Sequence, residues 1–272
     1  MPFSGMSKPL LLAPAVAEPA VLAAPELKPA ARARLPRHLA LIMDGNGRWA
    51  TQRDLPRVQG HARGVEAARC AVRGCLQNGI EVLSLYAFST LNWKRPEAEV
   101  EGLMKLLSDY MENEAQGLAE QGVRFRLLGG RERLPAAVRK AAERAESITA
   151  GGRRLVLNLG VNYGGQEELT AAVRSMAREV AKGRLSAKKL DSNTIEKHLF
   201  TAGLPPVDLV VRTAGVRRLS NFMLWQTAYA ELLFIDTLWP DFTESDLDAA
   251  LDDYAGRRRT FGGLTDVRSG KG

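Results

Sequence analysis

The sequence predicts an α/β fold: a central, mostly parallel six-stranded sheet flanked by helices, in a single domain. Three observations lead there. Six short apolar runs recur along the 272 residues, segments with helical spacing of apolar side chains separate them, and most of the runs are apolar throughout. Continuous apolar runs suit strands covered on both faces, and strands alternating with helices pair in parallel.

The runs are 38–43 (HLALIM), 80–88 (IEVLSLYAF), 123–128 (VRFRLL), 155–161 (LVLNLGV), 207–212 (VDLVVR) and 231–235 (ELLFI). VRFRLL begins by alternating, which places it toward a sheet edge. Between the runs, residues 63–77 set Val65, Ala68, Cys70, Val72 and Leu76 along a helix that stops at Asn78-Gly79. Residues 97–120 carry Val100, Leu103, Met104, Leu107 and Met111 at three- and four-residue spacing, a single apolar stripe. Residues 135–149, 166–182, 192–200 and 245–257 read as further helices, the last with Ser245 and Asp248 as its capping pair. No internal repeat is visible.

Composition bounds the function. With 45% hydrophobic residues the chain can bury a substantial core, and its net charge of +7 favours anionic partners. Nucleic acid is not expected among them, because no basic-aromatic array suited to base stacking is present. Cys70 and Cys75 sit five apart on one helix, point to different faces and have no zinc spacing, which suits buried thiols in a reducing cytoplasm. No apolar run reaches the roughly 18 residues of a membrane span. The segment PLLLAPAVAEPAVLAAP imitates a signal peptide, but prolines at 9, 14, 19 and 25 oppose a helical apolar region. Seven of the 13 prolines fall in the first 36 residues. The expected organisation is therefore a disordered Pro/Ala-rich tail over 1–35, one domain over 36–263 and a flexible tail over 264–272.

In parallel sheets, ligands collect beyond the carboxyl ends of the strands. Four polar clusters fall there. Asp44-Gly45-Asn46-Gly47-Arg48 follows the first strand: its glycines let backbone N–H groups face an anion, a helix starting near Arg48 would add its N-terminal end, and Arg48 adds a fork of donors. A bare carboxylate beside a phosphate makes sense if a divalent cation, Mg²⁺ first, lies between them; a simple turn with a capping Asp is the plainer reading. Arg57, Gly60, His61 and Gly64 form R-x-x-G-H-x-x-G just ahead of the next helix, a second anion-binding pattern or an ordinary surface histidine. Ser89-Thr90-Leu91-Asn92-Trp93-Lys94-Arg95-Pro96 follows the second strand, and a polar loop capped by Ser or Asn is its blander explanation. Arg212 through Phe222 (RTAGVRRLSNF) follows the fifth, with Arg212, Arg217, Arg218 and Ser220 able to hold a second diphosphate or simply to be solvated. Glu231 opens the last strand, as a further metal ligand or an ion-pair partner. No Walker loop and no dinucleotide fingerprint accompanies them. Together the clusters suggest two diphosphates side by side, one with a metal.

These strings, in this order, resemble the cis-prenyltransferases, most closely bacterial undecaprenyl diphosphate synthases. The resemblance runs from about Pro36 to about Gly263 through HLALIMDGNGRWA, GHARG, YAFSTLNWKRP, NYGG at 162–165, RTAGVRRLSNFMLWQTAYAEL and DYAGRRRTFGG. It implies sequential cis-condensation of isopentenyl diphosphate onto an allylic diphosphate, typically farnesyl diphosphate, giving a medium-length polyprenyl diphosphate for cell-wall carrier lipid. It assigns catalysis to Asp44 and Asn92, with Asn92 positioning substrate rather than acting as a base. The allylic cradle is Gly45, Asn46, Gly47, Arg48, Trp49, Arg57, His61 and Arg95; Ser89, Thr90, Leu91 and Trp93 add substrate contacts. Arg212, Arg218, Leu219 and Ser220 form the isopentenyl diphosphate clamp. Mg²⁺ is held by Asp44 and by Glu231, which the family's homodimer brings near the site. The growing chain needs an apolar tunnel, and Ala87, being small, leaves room for one. The product implies transient contact of a cytoplasmic enzyme with the membrane surface, helped by Arg257-Arg258-Arg259.

The chain also departs from the family's pattern. The usual STENWKRP has Leu91 in place of Glu, the usual RTGGExR has Ala214 and Val216 in place of Gly and Glu, and Gln166 stands where Arg follows NYGG. Two acids near the site are missing. That keeps open a short-chain or irregular prenyl diphosphate synthase, and a non-catalytic partner subunit of the same fold.

Overall fold

The computed structural model describes residues 35–259, so the expected tails lie almost wholly outside the described residues. Among them six strands form one sheet: β1 (His38–Ile42), β2 (Val82–Ser89), β3 (Val123–Leu128), β4 (Leu155–Tyr163), β5 (Leu209–Arg212) and β6 (Glu231–Phe234). Their order is β3-β4-β2-β1-β5-β6, every pair is parallel, and β3 is an edge strand as its alternation foretold.

Among the described residues seven α-helices flank the sheet: α1 (Asn46–Thr51), α2 (Arg57–Asn78), α3 (Glu97–Glu120), α4 (Ala136–Ile148), α5 (Gly165–Ala181), α6 (Ser192–His198) and α7 (Glu244–Gly256). The larger core lies under α2, α3, α4 and α7, where Ala71, Met111, Ala142 and Leu247 meet Leu41, Leu83 and Leu157 of the strands. A smaller aromatic core on the other face gathers Tyr86, Tyr163 and Phe222, with Tyr86 stacked on Phe222 at 4.3 Å.

Most boundaries move by one or two residues from the sequence reading, and two differences matter more. Helix α2 begins at Arg57, six residues early, so Arg57, Gly60, His61 and Gly64 lie on the helix and not ahead of it. The glycines disfavour a helix by propensity, but a neighbouring segment packs against them, as described below. Helix α7 is capped by Thr243 and Asp246, not Ser245 and Asp248: Asp246 Oδ2 accepts from Thr243 N at 2.9 Å.

Topology positions the site. β1 lies between β2 and β5, and the chain crosses from β4 to β5 to reach its far side, so the crevice beyond β1 and β5 is a switch point of the kind where α/β sheets bind ligands. Register places Arg212 beside Ile42, two residues before Asp44.

Candidate active site

Asp44 is the first residue past Met43 beyond β1, and the neighbouring strand holds it. Thr213, buried after β5, accepts from Asp44 N at 2.9 Å and donates to the Asp44 carbonyl at 2.7 Å. Trp239 N adds a bond to the same carbonyl at 3.0 Å. Arg212 Nη2 donates to Asp44 Oδ2 at 2.9 Å, while Arg48 Nη2 stands 3.5 Å from Oδ1. Burial pushes the Asp44 carboxyl up; the Arg212 hydrogen bond and charge, the Arg48 charge and the Gly45 N–H outweigh it and hold the group below the usual carboxylate range.

The loop behind Asp44 is shaped by close approach. Gly45 adopts φ 107°, and a side chain there would meet Leu238 and Ala214. A Cβ on Gly60 would lie 2.0 Å from the Asn46 carbonyl oxygen, and one on Gly64 2.4 Å from Asn46 Oδ1. The two glycines are one turn apart on α2, so together they form the flat face on which the Asn46 loop rests. The Arg57 guanidinium covers Gly47, within 2.6 Å of where its Cβ would be. Helix α1 starts at Asn46 but has only six residues, so its free first-turn N–H groups, more than a macrodipole, are what it can offer an anion.

One acid that the sequence reading passed over organises the cradle. Glu99, in the first turn of α3 and largely buried, lies 3.3 Å from Arg57 Nε and 3.2 Å from Arg95 Nη1, with His61 Nε2 at 3.8 Å. It thus draws Arg57, His61 and Arg95 to one place. Burial first, then the Arg95 charge, push the His61 imidazole down to about 4 against the pull of Glu99, so the ring is neutral at pH 7 and available as a hydrogen-bond partner. The signal was present: an acid four residues after Arg95 on a helix that opens at Pro96. Thr213 and Trp239, which brace Asp44, were also missed; Trp239 further donates to the Gly64 carbonyl at 2.9 Å.

The fourth cluster is a loop of left-handed turns, with φ 69° at Ala214, 51° at Ser220 and 65° at Asn221. Arg212 Nη1 donates to Ser220 Oγ at 2.6 Å, Arg218 Nε approaches the same oxygen at 3.3 Å, and Arg48 Nη1 donates to the Ala214 carbonyl at 2.9 Å. Arg212 therefore touches both Asp44 and the Ser220 loop, joining the first and fourth clusters. Val216 stands where the family's pattern has Glu, and Arg217 beside it is exposed.

Other expected residues have different occupations. Asn92 Oδ1 accepts from Ser89 N at 2.8 Å in a capping box, so that oxygen is committed to the turn and is no base. Trp93 Nε1 donates to Asn162 at 2.7 Å and its ring lies under Arg133; Trp49 Nε1 donates to Asp241 at 2.7 Å under Arg53. Thr90 donates to Glu167 at 3.1 Å, Leu219 packs on the smaller core, and Leu91 is 62% exposed.

Glu231 is separated from Asp44 within the chain. It pairs in register with Leu209, which pairs with Leu39, so it stands at the opposite strand ends, roughly 16 Å of strand rise from Asp44. There it binds Arg257 at 3.0 Å. Arg259 is tied to Asp208 at 2.6 Å, so two of the three arginines expected to meet a membrane are engaged within the fold. Among the described residues no group of three or more His, Cys, Asp or Glu could hold a metal. Asp44 alone still fits Mg²⁺, which takes one or two carboxylates and completes its shell with phosphate oxygens and water; Oδ1, with Arg48 at 3.5 Å, is less tightly held than Oδ2, which takes the 2.9 Å Arg212 bond.

Beside Asp44 opens an apolar cavity of about 80 Å³, with Met43, Asn46 and His61 at one end and Ala87, Leu103, Leu107 and Leu159 within. No helix of the described residues is long and apolar enough to cross a membrane.

Comparison with known proteins agrees with this arrangement. The family model for undecaprenyl diphosphate synthase matches residues 42–262. An isoprenyl transferase from Zymomonas mobilis is 49% identical over 85% of the chain and 93% of that protein. A ditrans,polycis-undecaprenyl-diphosphate synthase ((2E,6E)-farnesyl-diphosphate specific) from Xylella fastidiosa is 47% identical over 84% and 89%. Among solved structures, lavandulyl diphosphate synthase from Lavandula x intermedia, in complex with dimethylallyl diphosphate, superposes with a TM-score of 0.83 at 36% identity, covering 85% of the chain and 99% of that one. A probable undecaprenyl diphosphate synthase from Campylobacter jejuni gives 0.69 at 32%, covering 84% and 98%.

Proposed function

Because the chain belongs to the undecaprenyl diphosphate synthase family of prenyltransferases, we propose that it condenses isopentenyl diphosphate repeatedly onto an allylic diphosphate, farnesyl diphosphate as primer, to give a polyprenyl diphosphate of undecaprenyl length. The observation that carries this is the two cation-rich pockets that share Asp44 and Arg212 at the mouth of an apolar cavity. Diphosphates need the cations; a growing hydrocarbon needs the cavity.

The residues divide the work. The first-turn N–H groups after Gly45, with Arg48, Arg57, Arg95 and neutral His61, hold the allylic diphosphate and stabilise charge as its C1–O bond breaks. Arg212, Arg218 and Ser220 hold isopentenyl diphosphate with its terminal carbon facing that C1. Asn92 keeps the Ser89 turn in place, and the proton lost from the new chain goes to the departing diphosphate. Asp44 Oδ1 would hold Mg²⁺, whose chemistry here is to neutralise the leaving diphosphate. In a homodimer, Glu231 of the partner subunit would be the second carboxylate. Product leaves at the cytoplasmic face of the membrane.

A second reading is an irregular or short-chain synthase. The loss of acids at Leu91 and Val216 favours it, as does the likeness to a lavandulyl diphosphate synthase. One experiment separates the readings. Purified protein is incubated with farnesyl diphosphate, radiolabelled isopentenyl diphosphate and Mg²⁺, and in parallel with dimethylallyl diphosphate alone, and products are sized. A ladder ending near eleven isoprene units supports the main reading. Branched or short products support the second. No incorporation by folded protein would overturn both and leave a non-catalytic partner subunit.

A further inference from the structure

The NYGG string at 162–165 leads into a contact between two of the four polar clusters. Helix α5 starts there, and Gly164 at its N-cap has no side chain to close the first turn. The arginine loop closes it instead. Asn221, at φ 65°, accepts from Gly165 N on its carbonyl at 2.7 Å and from Gln166 N on Oδ1 at 2.9 Å. Two N–H groups that a helix start leaves unpaired thus find partners on a distant loop. Asn221 Nδ2 then donates to Glu167 Oε2 at 2.9 Å. A glycine at 164 makes room for this: a Cβ there would run into Glu167 Oε2 and lie 2.7 Å from Asn221 Nδ2.

Glu167 has a second partner. Its other oxygen, Oε1, accepts from Thr90 Oγ1 at 3.1 Å. Thr90 belongs to the third cluster, and Asn221 follows Ser220 in the fourth. One carboxylate therefore joins the loop that carries Arg95 to the loop that carries Arg218 and Ser220. It also places an acid beside the cluster in which Leu91 takes the usual acidic position. Glu167 is exposed, so water competes for its bonds and they add little to global stability. Their effect is geometric. The two diphosphates sit on different loops, and a displacement of roughly 1 Å between reacting atoms can cost on the order of 10²-fold in rate.

We propose that Glu167 is a positioning residue that clasps loop 89–95 to loop 212–222, and so sets the allylic carbon against the terminal carbon of isopentenyl diphosphate. This rests on the condensation reading above. Glu167 acts through Thr90 and Asn221, and Gly164 keeps the space in which the three side chains meet.

The test has two arms. In the first, steady-state kinetics with farnesyl diphosphate and isopentenyl diphosphate compares Glu167→Ala, Glu167→Gln, Thr90→Val and the Glu167→Ala/Thr90→Val double variant. Glu167→Ala should lower kcat about 10–100-fold and leave both KM values within about threefold. Glu167→Gln should recover most of the loss, because its amide can accept from Asn221 and donate to Thr90 Oγ1. The double variant should be no more than about twofold slower than Glu167→Ala, since both changes break one contact. In the second arm, amide hydrogen exchange of the full chain without substrate needs no turnover. Exchange should speed up about tenfold in both 89–95 and 219–222 in Glu167→Ala. Gly164→Ala, which removes no bonding group, should do the same. An unchanged kcat, additive losses in the double variant, or exchange that rises in one loop only overturns the proposal. So does faster exchange throughout the chain, which would mean that Glu167 holds the whole fold. If wild type makes no product while the two loops still loosen together, the condensation reading fails and the clasp stands.

Discussion

Arg212 Nη2 lies 2.9 Å from Asp44 Oδ2, and through it the carboxylate at the end of β1 is tied to the arginine loop after β5. The first and fourth polar clusters are thus one electrostatic unit. Arg212 is 4% exposed, so its charge is felt at short range with little screening by water.

Asp44→Ala should slow turnover by roughly 10²–10⁴-fold, about 3–5 kcal/mol of barrier at 1.36 kcal/mol per decade. Steady-state kinetics with both substrates measures it. A loss below tenfold would remove Asp44 from the catalytic role.

Glu99→Gln should raise KM for the allylic diphosphate about tenfold and leave KM for isopentenyl diphosphate near its wild-type value. Arg57, His61 and Arg95 lose the carboxylate that gathers them, and one charge-assisted hydrogen bond accounts for that order of effect. Equal changes in both constants would show that Glu99 serves the whole fold and not one cradle.

Gly60→Ala should cost about 1–3 kcal/mol of stability, because the new methyl group meets a backbone carbonyl that cannot yield without moving the Asn46 loop. Gly117→Ala is the contrasting variant: nothing lies within 4 Å of its Cβ, and the change should stabilise α3 by up to about 1 kcal/mol. Urea unfolding of the two proteins tests the pair of signs.

Stability should fall as pH drops from about 6.5 toward 4. His38 and His61 are both pushed down to about 4, chiefly by burial. Between those values the unfolded chain binds a proton that the folded chain does not, so the contribution is complete above the ordinary histidine value and is lost on acidification. At 1.36 kcal/mol per unit it amounts to roughly 3 kcal/mol for each ring. His61→Gln should flatten the slope by about half in unfolding experiments across that window, and an unchanged slope would contradict the burial of His61.

Ala87→Leu should shorten the product ladder, since Ala87 lines the apolar cavity. Sizing the extracted products decides it; an unchanged profile would mean that the chain takes another path.

What the sequence determined by itself was whatever depends on local pattern. The six apolar runs became six parallel strands, with β3 at an edge, because burial on both faces demands unbroken apolar stretches and an edge relaxes that demand. The cluster residues fell at the carboxyl ends because strand direction carries them there, and their type shows the charge they can bind.

Only the tertiary structure decided the relations between segments far apart in the chain. It put Gly60 and Gly64 inside α2, against propensity, because a flat helix face there lets the Asn46 loop pack. It made Glu99 the centre of the cradle and sent Glu231 to the far end of the sheet, to Arg257. It also turned Asn92 into a cap. A carboxylate's role depends on which charges lie within a few ångströms, and that distance is set by strand register and helix packing. Neither is written in any single stretch of sequence.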